Sequence, residues 1–261
     1  MGARGRLLIV AGSDSGGGAG IQADIKTCTA LGGYAMTAVT ALTAQNTEGV
    51  HGVHPVPPGF IADQMRVVLR DIGADAVKTG MLHDAETIEA VAETLKREAL
   101  GVPVVVDPVM VAKGGHALLR ADAVEALRRC MLPLAALLTP NMPEAEALLD
   151  GRPPVWPSWA ALGAGAVLLK DGHGTGILVC DRLLAAGGET VFEHERLATK
   201  HTHGTGCTLA SAAATGLAQG FDLASAVRRA GDFVHAAMRS APGLGRGHGP
   251  LNHMITVRRF A

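Results

Sequence analysis

The residues of this sequence with the clearest chemical potential lie in one short segment, 202–207, which reads Thr-His-Gly-Thr-Gly-Cys. The run of small residues after it predicts a helix. Glycines at a helix start leave backbone N–H groups free, and the helix dipole adds positive potential, so Gly204, Thr205 and Gly206 favour an anion hole. Cys207 falls in the first turn, where the dipole favours a thiolate that acts as a base or a nucleophile. A glycine-rich helix start with a buried structural thiol explains the same residues equally well.

A second glycine-rich stretch, residues 12–20, joins the first predicted strand to a helix. Its backbone amides could line a ligand pocket at close range. The stretch contains neither the G-x-x-x-x-G-K-[ST] pattern nor the G-x-G-x-x-G pattern. A tight turn between strand and helix therefore explains it as well as a binding loop does.

Side chains that suit a magnesium–phosphate site follow three later strands. Asp107 comes after one strand and is fixed by Pro108, whereas Asn141 and Glu144 come after the next. Mg²⁺ keeps several waters and needs few protein ligands, so Asp107 and Glu144 are the predicted ligands. Helix capping explains Glu144 as well. Lys170 ends a further strand and could meet phosphate oxygens, although such lysines are often only solvated.

Strand and helix patterns alternate along most of the chain. The predicted strands cover residues 7–11, 35–42, 75–78, 102–106, 135–138 and 166–170, and the helices between them cover 21–31, 61–70, 85–100 and 122–131. This alternation implies a mostly parallel sheet, with ligands gathered at the carboxyl ends of its strands. Later strands at 176–180 and 190–195 predict an antiparallel edge, and helices at 205–217 and 223–239 follow. The Pro-rich stretch 151–157 is interpreted as a loop, so one domain over residues 1–261 is expected.

The composition favours a small-molecule ligand. Hydrophobic residues make up 48% of the 261 residues but aromatic residues only 3%, so stacking platforms for nucleic-acid bases are scarce. The formal net charge is -1 and the basic residues are scattered, which argues against nucleic acid or a membrane as a partner. The four cysteines form no C-x-x-C pair and are expected to be free. The apolar run near the amino terminus is too short for a signal or a membrane span, so a cytoplasmic protein is expected.

Six blocks of the sequence, in order, resemble the hydroxymethylpyrimidine and phosphomethylpyrimidine kinases of thiamine biosynthesis, within the ribokinase-like superfamily. The blocks are 11–17 with 20–24, 40–47, 78–82, 107–110, 140–146 and 202–207. The resemblance implies an α/β fold, a three-layer α/β/α sandwich with a mostly parallel central sheet. It also implies ATP and Mg²⁺ as cofactors, a homodimer, and phosphorylation of 4-amino-5-hydroxymethyl-2-methylpyrimidine and then of its monophosphate.

The resemblance also implies roles for individual residues. Gln45 is similar to the residue that recognises the pyrimidine edge, and four further positions look like pocket residues: Asp24, Gly12, Met81 and Val109. Cys207 stands where sugar kinases of the superfamily carry an aspartate base. Asn141 and Glu144 are similar to the family's Mg²⁺–phosphate motif, and Lys170 is similar to its phosphate-side lysine. Residues 113–115 look like part of a mobile flap over the site.

The sequence departs from the family pattern in two places. Residues 150–164 look shorter than in typical members, as though most of a peripheral helix were replaced by a loop, and Asp171 replaces a common glycine. The main alternative activity is that of a pyridoxal kinase, because pyridoxal also carries a hydroxymethyl group on a six-membered nitrogen heterocycle. A thiol-dependent hydrolase using Cys207 and His203, and a binding protein without catalysis, are further alternatives.

Overall fold

The computed structural model describes residues 5–111, 115, 118–119, 123–172 and 174–256. The strands are β1 (Arg6–Ala11), β2 (Tyr34–Val39), β3 (Ala41–Gln45), β4 (Val50–Pro55), β5 (Ala76–Thr79), β6 (Val104–Val106), β7 (Ala135–Leu138), β8 (Ala166–Leu169), β9 (Leu178–Ala185) and β10 (Gly188–Glu195). The helices are α1 (Gly20–Ala30), α2 (Pro58–Asp71), α3 (Ala85–Glu98), α4 (Ala123–Ala126), α5 (Met142–Leu149), α6 (Trp156–Ala160), α7 (Thr205–Ala218) and α8 (Leu223–Arg239). A π-helical turn, Leu127–Met131, continues α4.

Eight strands form the central sheet in the order β10-β9-β8-β7-β6-β5-β1-β2. The neighbours from β2 to β8 pair in parallel, whereas β9 and β10 pair antiparallel at one edge. The carboxyl ends of the six parallel strands therefore lie along one edge of the sheet, here called the carboxyl edge. The predicted parallel sheet with an antiparallel edge is confirmed.

Helices cover both faces of the sheet and create two cores. Leu8 and Val10 of β1 pack into the core shared with α2, α3 and α5, while Leu7 and Ile9 pack into the core shared with α7 and α8. Successive strand residues point to opposite faces, so this alternation is the pattern of a sheet buried on both sides. The three-layer α/β/α sandwich is confirmed. No described helix is both long and apolar enough to cross a membrane.

Two sequence-based assignments were wrong in detail. The predicted strand 35–42 is two strands, because the buried Thr40 donates its hydroxyl to the carbonyl of Met81 and the chain leaves the main sheet there. The second of them, β3, pairs antiparallel with β4 in a separate two-stranded sheet. The stretch interpreted as a Pro-rich loop runs into the short helix α6, whose Trp159 is completely buried.

Candidate active site

The glycine-rich segment before α7 lies at the carboxyl edge. Gly204 caps the helix with φ +83°, a left-handed conformation that favours glycine. A side chain at Gly204 would overlap the carbonyl oxygen of Gly18, so the segment packs directly against the loop after β1. The backbone amides at the start of α7 have no carbonyl of their own helix to bond. The anion hole is defined here as the amides of residues 204–207, and its role stays a prediction.

Cys207 lies half-buried in the first turn of α7 as predicted, but its thiol is not an easily formed thiolate. Burial raises the pKa of Cys207 to about 12; the positive charge of Lys78 opposes this rise, while the carboxylates of Asp24 and Asp107 add to it. The predicted thiolate is not favoured here, because burial and the two carboxylates raise the pKa of Cys207 more than Lys78 and the N–H of Gly20 lower it. All four cysteines are free, as expected.

Lys170 and Asp107 form an ion pair next to Gly206. The ammonium of Lys170 lies 3.2 Å from Asp107 Oδ1, and a Cβ on Gly206 would lie 3.5 Å from Lys170 Nζ and 3.8 Å from Asp107 Oδ2. Thr139 Oγ1 also donates to Asp107 Oδ1, whereas the buried Asp107 Oδ2 has no hydrogen-bond partner among the described residues. A buried carboxylate oxygen without a partner has the character of a binding group.

Lys170 carries its charge in this environment. Burial would lower the pKa of Lys170, but the carboxylates of Asp107 and Glu144 outweigh burial and raise it. The amine is therefore an ammonium at neutral pH, placed where it could contact an anion. The predicted positions of Lys170 and Asp107 near the anion hole agree with the structure.

Asn141 and Glu144 are occupied by helix capping. Asn141 Oδ1 accepts the backbone N–H of Glu144 at 2.9 Å, and Glu144 Oε2 accepts that of Asn141 at 2.9 Å, which together form a capping box for α5. Burial raises the pKa of Glu144 although Lys170, 4.0 Å away, opposes it. The capping interpretation is confirmed, and both side chains have less capacity for a cation than the sequence predicted.

Asp24 does not line the pocket with its carboxylate. Lys78 Nζ donates to both carboxylate oxygens of Asp24, at 3.0 and 2.9 Å, and Ser211 of α7 donates to one of them at 2.6 Å. Asp24 and Lys78 are both fully buried. The prediction of a pocket residue is corrected: Asp24 can affect a ligand only through Lys78 or α7. Gly80 leaves room for this pair, since a Cβ there would lie 2.9 Å from Lys78 Nζ.

Three of the remaining predicted pocket residues, Gly12, Met81 and Val109, follow strands at the carboxyl edge, whereas Gln45 lies in the separate two-stranded sheet. A Cβ on Gly12 would lie 3.0 Å from Met81 Sδ, so these two residues are in contact. Val109 is half-buried and its backbone N–H donates to the carbonyl of Asp107. Gln45 ends β3, and its amide oxygen accepts the Thr43 hydroxyl at 3.3 Å. The predicted flap at 113–115 lies largely outside the described residues.

The sequence-based interpretation missed three charged or polar side chains of this region. Lys78, Asp14 and His203 each lie within a block that carried the family resemblance, but none was given a role in the kinase, and His203 entered only as the partner of Cys207 in the hydrolase alternative. Asp14 and His203 are hydrogen-bonded to each other across 189 residues of sequence, and Lys78 and Asp24 across 54. Such pairings have no local signal in one sequence.

The family model described as phosphomethylpyrimidine kinase matches residues 14–252 of the chain. The chain belongs to this family. It is 45% identical to the hydroxymethylpyrimidine/phosphomethylpyrimidine kinase of Bacillus subtilis, over 97% of this chain and 96% of that protein. It is 52% identical to the thiamine biosynthesis bifunctional protein ThiED of Geobacter sulfurreducens over 97% of its own length, but it spans only about half (53%) of that protein.

Solved structures of two kinds of kinase share the fold of this chain. A phosphomethylpyrimidine kinase from Clostridium difficile has 38% identity and a TM-score of 0.78, covering 89% of this chain and 99% of its own. The pyridoxal kinase from Staphylococcus aureus in complex with AMP-PCP and pyridoxal has 31% identity and a TM-score of 0.89, covering 98% and 96%. Together with the family match, these similarities confirm the ribokinase-like fold and the family resemblance.

Proposed function

We propose that this protein transfers the γ-phosphate of ATP to the hydroxymethyl group of 4-amino-5-hydroxymethyl-2-methylpyrimidine, and then phosphorylates the resulting monophosphate. The family membership gives the reaction class. The observation that carries the proposal is the Lys170–Asp107 pair beside Gly206, where an ammonium and an unpartnered carboxylate oxygen adjoin the anion hole. Opposite charges next to the first backbone amides of α7 suit a phosphate group with its counter-cation.

The chain's residues contribute mainly through position and charge. The acceptor oxygen forms a bond to the γ-phosphorus as the bond from that phosphorus to the oxygen of ADP breaks. The amides of residues 204–207 and the ammonium of Lys170 stabilise the negative charge of the transferring group. Cys207, whose pKa burial raises to about 12, is a weak base at most, and a loose transition state needs little more because the acceptor hydroxyl loses its proton late.

Mg²⁺ and ATP are part of the proposal. The unpartnered oxygen of Asp107 fits a divalent cation, because Mg²⁺ prefers carboxylate oxygen and keeps several waters. No group of three or more acidic, histidine or cysteine side chains in the described part of the chain could hold a metal alone. Asp107 would therefore share the ion with water and ATP phosphates, and the ion would neutralise phosphate charge. Glu144 would act mainly by orienting Lys170.

We also propose that the protein works in the cytoplasm as a homodimer and acts on a small-molecule substrate. Large apolar side chains that are exposed on β2, β3 and α2 support a protein interface, since β2 and α2 pack together. They are Tyr34, Leu42, Phe60 and Val67. Analytical ultracentrifugation would test this association directly, and a monomer at micromolar concentration would contradict it.

Pyridoxal is the second candidate acceptor, since pyridoxal kinases share this fold with TM-scores of 0.87 to 0.89. A coupled assay of ADP release with hydroxymethylpyrimidine, its monophosphate and pyridoxal would decide between them. We expect kcat/KM to be highest for the pyrimidine, and Gln45→Leu to lower it while leaving ATP affinity unchanged. A preference of the wild type for pyridoxal would overturn the proposed substrate, and ester cleavage without ATP would indicate a hydrolase instead.

A further inference from the structure

The loop between β1 and α1 makes contacts in two directions. Ser15 Oγ donates to the carbonyl of Gln45 at 2.7 Å and accepts the N–H of the same residue at 2.8 Å. The hydroxyl of Ser13 accepts the N–H of Thr43 at 3.2 Å. These two serines therefore fasten the loop to β3, the strand that ends in the predicted pyrimidine-binding residue.

Asp14, between the two serines, faces the opposite way. Its carboxylate accepts the backbone N–H groups of Gly16, Gly18 and Ala19 at 2.8 to 3.0 Å, and it accepts His203 Nε2–H at 2.7 Å. Burial alone would raise the pKa of Asp14, but His203 and the amides of Ala19 and Gly16 outweigh burial and lower it. The carboxylate is therefore charged and saturated with donors, so its role is to fix its neighbours.

His203 is held on both its side chain and its backbone. Its N–H donates to the carbonyl of Gly249 at 3.2 Å, and it forms an isolated parallel bridge with Pro250. Only 6% of His203 is exposed, and a Cβ on Gly18 would lie 2.5 Å from its ring. The imidazole of His203, the residue that precedes the anion hole, therefore packs directly against the loop after β1.

We propose that His203, through its bond to Asp14, is a positioning residue that sets the distance between the acceptor bound at Gln45 and the anion hole. The loop 13–15 then works as a spacer, with its serines on the acceptor side and its aspartate on the phosphoryl side. A group that fixes the separation of two reactants acts on the chemical step more than on the binding of either reactant, because each binding surface remains intact.

This inference rests on the proposed function, in which one site phosphorylates two different acceptor atoms in turn. The first acceptor atom is a hydroxyl oxygen and the second is an oxygen of a phosphate one group further from the ring. A change in the separation of the two halves therefore affects the two phosphorylation steps unequally. A residue that only supports the fold would lower both rates by the same factor, through the fraction of protein that is folded.

The experiment is a kinetic comparison of His203→Ala, His203→Asn and His203→Gln, with His248→Ala as a matched control. His248 is exposed in the segment that also holds Gly249 and Pro250; its side chain bonds only the carbonyl of Lys200 among the described residues, and its backbone N–H, which the substitution keeps, donates to Thr47. We expect His203→Ala to lower kcat on the order of 100-fold with each KM changed less than about threefold. The ratio of first-step to second-step rates should change, and His203→Gln, whose longer amide reaches Asp14, should regain most of kcat.

The outcomes separate the inference from the proposed function. A rise in acceptor KM with unchanged kcat, or equal losses in both steps, would refute the positioning role. Should His203→Ala fail to fold by circular dichroism, the Asn and Gln variants decide: equal activity of these two would also refute it. If the wild type phosphorylates only pyridoxal, the proposed substrate fails, and the same variants are compared by kcat and KM on pyridoxal.

Discussion

Two lysine–aspartate pairs lie beside the start of α7, and they differ in how completely their charges are satisfied. In the closed pair, Lys78 and Asp24, both residues are fully buried and both carboxylate oxygens are hydrogen-bonded. In the open pair, Lys170 and Asp107, the lysine side chain is 13% exposed and Asp107 Oδ2 has no partner among the described residues. The same two residue types therefore serve different purposes a short distance apart.

The difference indicates which of the two pairs still has a polar atom without a hydrogen-bond partner in the described part of the chain. The closed pair links β5, α1 and, through Ser211, α7, so it has a structural task inside the core. The open pair joins the ends of two parallel strands, and one carboxylate oxygen of Asp107 has no partner among the described residues, which is why we propose it as the phosphate and cation site. A buried ion pair adds little to stability by itself, but the loss of one partner is costly because the other charge remains.

The largest expected effect is on stability and comes from the closed pair. Lys78→Met should lower the free energy of unfolding by about 3 to 5 kcal/mol, because Asp24 is left buried without its counter-charge. The double variant Lys78→Met with Asp24→Leu should regain most of this loss, since no charge is left unpaired. Urea unfolding measures both. A loss below about 1 kcal/mol for the single variant would contradict the structural role of the pair.

The second effect is on activity and comes from the open pair. Asp107→Asn should lower kcat/KM on the order of 100-fold, about 2.7 kcal/mol of transition-state stabilisation, because the predicted cation and phosphate site loses its charge. The free energy of unfolding should fall by less than it does for Lys78→Met, since Lys170 is partly exposed, keeps Glu144 Oε2 at 4.0 Å and can still donate to the asparagine oxygen. Steady-state kinetics alongside urea unfolding tests this separation; a stability loss as large as that of Lys78→Met would make the two pairs equivalent.

A third prediction concerns Cys207, because charged residues of both pairs shift the pKa of its thiol. Its pKa is raised, so the protonated form predominates at neutral pH and the thiolate fraction grows only as the pH rises towards about 12. In a Cys130→Ser, Cys180→Ser background, iodoacetamide should modify Cys207 slowly at pH 7, with a rate that still increases at pH 9. Cys207→Ala should keep activity within roughly 10-fold of the wild type, below the range of an essential general base.

The smallest effect is expected at an exposed ion pair, which gives the baseline for the comparison. Arg182 Nε lies 2.6 Å from Glu189 Oε1, across β9 and β10, and both side chains are 39% exposed. Arg182→Ala should lower the free energy of unfolding by less than about 1 kcal/mol, because solvent screens exposed charges. A thermal unfolding curve that shifts as far as that of Lys78→Met would show that burial does not distinguish these pairs.

The sequence predicted the parts of the fold that depend on local pattern. The helix expected at 205–217 is Thr205–Ala218, and the strand expected at 135–138 is Ala135–Leu138. Periodicity and glycine placement are sufficient for such elements. The break at Thr40 was missed, because it depends on the bond from its hydroxyl to the distant carbonyl of Met81.

The chemistry of the site was harder to predict than its location. Asp107 and Lys170 follow or end predicted parallel strands, whose carboxyl ends share an edge, and the structure brings both beside Gly206, the neighbour of Cys207. The protonation of Cys207 and the burial of Asp24 could not be predicted. Both depend on desolvation and on partners far away in sequence, such as Lys78, which no local pattern reveals.

Calorimetric titration of ATP, with and without Mg²⁺, tests most directly the claim that the open pair is the phosphate site and the closed pair is structural. The account predicts that Asp107→Asn loses most of the Mg²⁺-dependent gain in ATP affinity that the wild type shows. The double variant Lys78→Met with Asp24→Leu should keep that gain. Unchanged Mg²⁺-dependent binding in Asp107→Asn, or its loss in the double variant while that protein remains folded, would contradict the account.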